Sequence, residues 1–121
     1  MLVRSTHMYT VYHVQARQSA WQPPTNVYET ETAYVVQVEV SGMRDGHFHL
    51  SIHDRILIVS GTRDESARER RAYYQMEVNT GDFRAEVELP VPVDTASIKA
   101  DYDDGFLQIT LPKPANAPLN R

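Results

Sequence analysis

Apolar and polar positions alternate with period two through most of the chain, the spacing of strands that bury one face. Tyr34-Val-Val-Gln-Val-Glu-Val40 sets Val36, Val38 and Val40 on one side and Val35, Gln37 and Glu39 on the other. His47-Phe-His-Leu-Ser-Ile-His53 is cleaner, with Phe48, Leu50 and Ile52 opposed to His47, His49, Ser51 and His53. Ile56-Leu-Ile-Val-Ser60 is a short apolar run that ends at Gly61. Phe83-Arg-Ala-Glu-Val-Glu-Leu89 alternates Phe83, Ala85, Val87 and Leu89 against Arg84, Glu86 and Glu88. The last strands are predicted over Ser97–Tyr102 and Phe106–Leu111, joined through Asp103-Asp104-Gly105, a hairpin signal because Gly accepts positive φ.

The breaks between these runs agree with them. Ser41-Gly42, Asp45-Gly46 and Asp54-Arg55 mark turns, while Pro90, Pro92 and Pro112 remove ladder donors and end strands. Short strands at this spacing predict an all-β, antiparallel sandwich. The one helix-friendly stretch, residues 63–72, is charged on every side and predicts a solvated loop. Residues 1–23 show no sustained period and are expected to form a flexible N-terminal arm, 24–113 the domain, and 114–121 an extended C-terminal tail with two prolines.

Composition narrows the class. One domain is the expectation for 121 residues. With no cysteine there is no disulfide or thiolate metal site. The N-terminus lacks the apolar run of a signal peptide and no segment reaches membrane-spanning length, so a soluble, cytoplasmic protein without a membrane span is expected. A net charge of −4 with interspersed signs argues against nucleic acid, which calls for a basic face. Neither Gly-x-x-x-x-Gly-Lys nor Gly-x-Gly-x-x-Gly occurs, so no nucleotide or other cofactor is expected. Asp101, Asp103 and Asp104 cluster only around a turn, and Ser, His and Asp occur without a nucleophile-elbow context. No enzyme is predicted. His47, His49 and His53 share a strand face on which two imidazoles can reach one ion, but no further ligand completes the set, so no metal site is assigned.

Ala100-Asp-Tyr-Asp-Asp-Gly-Phe-Leu107, closing on Leu111-Pro-Lys113, resembles the signature of the small heat-shock proteins, the Hsp20 or α-crystallin domain family, with Ala100, Gly105 and Leu107 at its motif positions. Gly81-Asp-Phe83 running into Leu89-Pro90, Pro24-Thr-Asn-Val-Tyr-Glu29 and Leu57-Ile-Val-Ser-Gly61 resemble further strands of that domain, so the match extends from about Pro24 to Lys113. There are three departures. Ala85 stands where the family usually has Arg, with Arg84 one place earlier; Ser41-Gly42 replaces Pro-Gly; and the tail has no Ile-x-Ile motif, only Leu119 in Pro118-Leu119-Asn120.

The resemblance implies an immunoglobulin-like sandwich and an ATP-independent holdase that binds partly unfolded clients and suppresses their aggregation under stress. It implies a client groove between strands 47–53 and 97–102, lined by Phe48, Leu50, Ile52 and Ile98; each of the four is equally consistent with plain core. Tyr9, Tyr12 and Trp21 on the arm form a second client surface, the alternative being an end with Trp21 packed on the sandwich. The loop of about twenty residues after Gly61 is long for a compact domain. It carries Tyr73, Tyr74, Gln75 and Met76, the expected strand of a swapped homodimer. Without the tail motif, dimers or small labile oligomers are expected, not a closed shell; Val91-Pro-Val93 mimics the motif but lies between strands. The rival readings are a p23-type co-chaperone module, which lacks the long loop, and a dimerisation domain without client binding.

Overall fold

The computed structural model describes residues 20–44, 47–65 and 69–114. Seven strands follow one another: β1 (Thr25–Glu29), β2 (Ala33–Glu39), β3 (His49–His53), β4 (Ile56–Arg63), β5 (Gly81–Glu88), β6 (Lys99–Asp103) and β7 (Phe106–Pro112). They make two antiparallel sheets, one ordered β1-β2-β7-β6 and the other β3-β4-β5. The fold is the predicted all-β sandwich.

The alternation explains the layers. Val36, Val38, Leu107 and Ile109 of the first sheet meet Leu57, Val59, Phe83 and Ala85 of the second, all buried in one core. Each of these side chains except the small Ala85 stabilises the fold by roughly 1.5–3 kcal/mol through area removed from water. The polar alternates face out: Asn26, Gln37 and Gln108 stand in register across β1, β2 and β7 and join by amide hydrogen bonds of 3.4 Å.

Several boundaries differ from the sequence expectation. Strand β4 continues past Ser60 to Arg63, because Gly61, Thr62 and Arg63 pair with Phe83, Asp82 and Gly81. Gly61 is what permits this, since a Cβ there would come within 2.7 Å of the Phe83 ring. Val35, placed by alternation on the polar face, is buried; it lies on a strand flanked on both sides by β1 and β7. Ser97 belongs to a 3-10 turn over Thr95–Ser97, where the Asp94 side chain accepts from Ala96 N at 3.0 Å. Asp104 (φ 55°) and Gly105 (φ 84°) both adopt the left-handed region between the paired residues Asp103 and Phe106, the backbone of a tight type I′ hairpin.

Candidate functional site

The expected dimer strip leaves the sandwich altogether. Among the described residues of 64–80 none is in a strand or helix. Tyr74 is fully exposed, Tyr73 is 44% exposed, and Met76 and Val78 also face solvent. The loop is organised by its own charges: the Tyr73 hydroxyl donates to the Glu65 carboxylate, Arg71 pairs with Glu69, and the Arg71 guanidinium lies 5.7 Å over the Tyr73 ring. The Glu69 hydrogen bond, with Tyr73 second, raises the Arg71 pKa further above its already high value. Gln75 donates to Glu77 at 2.8 Å. These local contacts stiffen the strip without burying it.

A second unpaired surface lies on β1. This strand ends its sheet, with Val27 46% and Tyr28 43% exposed. An edge that carries apolar side chains is a template for another strand.

The predicted groove strands, β3 and β6, are likewise the free edges of their two sheets. Leu50, Ile52 and Ile98 are half-buried against the common core, together with Ala100 and Tyr102. Phe48 differs from the other three: at 2% exposure, between Phe83 (6.3 Å) and Tyr102 (5.2 Å between centroids), it offers no surface to a ligand. Tyr102 fixes this end, its hydroxyl donating to Val40 O at 2.8 Å and accepting from Met43 N at 3.3 Å.

Of the arm residues, Tyr9 and Tyr12 lie outside the described residues. Trp21 follows the alternative reading of the arm and is docked on β5. Its backbone brackets that edge (Trp21 N to Asp82 O 3.0 Å, Arg84 N to Trp21 O 2.9 Å) and its ring meets Phe83 at 5.5 Å. Among the described residues no group of three or more His, Asp or Glu could hold a metal; His47 and His53 are exposed and His49 half-buried. No described helix is long and apolar enough to cross a membrane.

Two ionic features escaped the sequence reading. The Lys113 side chain, 1% exposed, binds Glu29 at 2.7 Å and lies 5.4 Å from the Tyr34 ring centre, fastening the end of β7 to the edge strand β1. Arg63 joins β4 to three other segments, through Asn79 O, Ser41 O and the Trp21 ring.

The model of the Hsp20/alpha crystallin family matches residues 26–121. The chain belongs to that family. The small heat shock protein C2 of Rickettsia felis is 29% identical over 106 residues, 87% of this chain and 69% of that protein. The 17.7 kDa class II heat shock protein of Arabidopsis thaliana is 32% identical over 93 residues, 74% of this chain and 60% of that protein. This chain thus spans between half and two-thirds of several such relatives. Among solved structures, HSP18.5 of E. histolytica superposes with a TM-score of 0.69 at 30% identity, covering 84% of this chain and 97% of that one.

Membership of the small heat shock proteins implies a chaperone role, and the signature residues have visible jobs. Gly105 supplies the hairpin's left-handed residue, Leu107 is fully buried, and Ala100 packs half-buried on the core from β6. At the first departure, Ala85 is buried opposite Val59, so the position serves the core. The charge has moved to Arg84 on the outer face, 3.5 Å from Glu86. At the second, Gly42 retains φ 82°, and the turn is made with Ser in place of Pro.

Proposed function

We propose that this small heat shock protein is an ATP-independent holdase that acts in the cytoplasm as a homodimer, or a small labile oligomer, made by strand exchange. The observation that carries the reading is that the chain exposes two apolar elements that suit each other, a loop strip and an open sheet edge. One is the strip Tyr73–Met76 on its long loop; the other is the edge strand β1 with Val27 and Tyr28. Such a strip laid along the partner's β1 satisfies backbone groups on both and buries the aromatic side chains, twice over by symmetry. Unfolded clients then meet the half-buried row Leu50, Ile52 and Ile98 between the edges β3 and β6, where unpaired backbone gives affinity and the row gives selectivity. Tyr9 and Tyr12 add a second, aromatic contact for clients.

Light scattering of a heat-labile client tests the activity: added protein suppresses aggregation without ATP. If it does not suppress aggregation while its mass stays dimeric, the chain is a dimerisation module and the holdase reading falls. Deleting residues 66–76 converts the dimer to a monomer in solution mass; a persistent dimer sinks the strand exchange.

A further inference from the structure

Arg63 is the last residue of β4 and pairs in register with Gly81, the first of β5. The whole loop that bears Tyr73 and Met76 therefore leaves and re-enters at this one residue pair. Closing a loop of that length fixes its ends but not its direction.

The guanidinium supplies the missing constraint. Nε and Nη2 both donate to the carbonyl of Asn79, at 3.0 and 2.6 Å, just before the loop rejoins β5. Nη1 donates to Ser41 O, 3.1 Å away in the β2–β3 connection. The flat face of the same group lies 4.5 Å over the indole of Trp21. That indole donates Nε1–H to Gly81 O at 3.3 Å, while the Trp21 backbone occupies the β5 edge at Asp82 and Arg84. Gly81 itself sits at φ 92°, a conformation that suits glycine. A planar fork that donates in-plane and stacks out-of-plane is something arginine can do and a lysine point charge cannot.

We infer that Arg63 is a positioning residue that couples the docked N-terminal segment at Trp21 to the root of the dimerising loop, so that each holds the other in place. The inference rests on the strand-exchange reading for its consequence, not for its geometry. Undocking Trp21 from β5 removes one face of the guanidinium's cage and a hydrogen bond at Gly81, which loosens the loop root. Freeing the loop removes the Asn79 anchor and leaves the guanidinium less fixed over the indole. Coupling of this kind is reciprocal. A ligand that draws the N-terminal segment away thus weakens the dimer, and dimer formation tightens the segment on β5.

Hydrogen exchange on the full chain, with solution mass, tests this. Arg63→Ala speeds exchange of residues 77–81 and of 20–22 together, at least tenfold, and raises the dimer dissociation constant at least tenfold. Trp21→Leu, which leaves every atom of the loop in place, speeds exchange of 77–81 at least threefold. Arg63→Lys restores less than a third of the loss, since it keeps the charge but not the fork. Exchange in 77–81 within twofold of wild type in Trp21→Leu overturns the coupling, as does Arg63→Ala acting on the loop alone. If Arg63→Ala does not fold, the Trp21 and lysine variants decide the matter. A wild type that stays monomeric at every concentration defeats the strand-exchange reading, while the exchange data still decide the role of Arg63.

Discussion

Tyr34-Val-Val-Gln-Val38 and Tyr73-Tyr-Gln-Met-Glu-Val78 are built from nearly the same residue types, aromatic and β-branched with a glutamine among them. The first lies in β2, hydrogen-bonded to β1 on one side and β7 on the other, and Tyr34 is 5% exposed. The second pairs with no strand among the described residues, and Tyr74 projects fully into solvent. Both carry residues that favour strands; what differs is that only the first finds flanking strands among the described residues. A strip that joins no sheet among the described residues and leaves Tyr74, Met76 and Val78 in solvent is the kind of surface on which the proposed strand exchange draws.

The comparison can be broken at its strongest point first. Phe83→Ala, in the core that β2 covers, is expected to cost about 4 kcal/mol in urea unfolding. Tyr74→Ala in the loop should change single-chain stability by under about 0.5 kcal/mol. Comparable losses in the two would mean that the loop packs on its own sandwich. Next, Lys113→Met takes the ammonium away from Glu29 and is expected to cost about 3 kcal/mol, most of it regained on adding Glu29→Leu. No regain in that double variant would show that the pair does more than neutralise itself.

The loop's own effect comes third and appears in a different measurement. Tyr73→Ser with Met76→Ser should weaken dimerisation at least tenfold, about 1.4 kcal/mol or more, by concentration-dependent mass while the monomer melts normally. An unchanged dimer would remove the strip from the interface. Smallest is Arg55→Ala, which breaks a solvent-exposed pair with Glu88 at 2.8 Å and should cost less than about 1 kcal/mol, vanishing in high salt.

How much of this was legible depended on the range of the interaction. The hairpin at Asp104-Gly105 could be read because its cause, two left-handed residues in succession, is local. The exposed Tyr73–Met76 strip could be picked out by length and contrast with its charged flanks. Phe48 shows where such reading stops: alternation put it on the inward face with Leu50 and Ile52, but the same face lines both core and groove. Only the rings of Phe83 and Tyr102 closing on it decided the matter. Packing of Trp21 on the sandwich was one of two readings open in the sequence, and its contacts with β5 decided between them. The Arg63 contacts and the Lys113–Glu29 pair had no signal in sequence, since each joins residues far apart in the chain whose types are common on any surface.

The sequence by itself determined the strand faces, the turns and the family, because alternation, positive-φ residues and a compact signature are properties of near neighbours. Tertiary structure alone decided which strands stand beside which, and hence which edges stay open. It set β1, β3 and β6 at the margins, buried Val35 by flanking it on both sides, and clamped the loop root beneath Arg63. Those outcomes rest on contacts between distant segments, whose energies are settled only when both sheets close on one core.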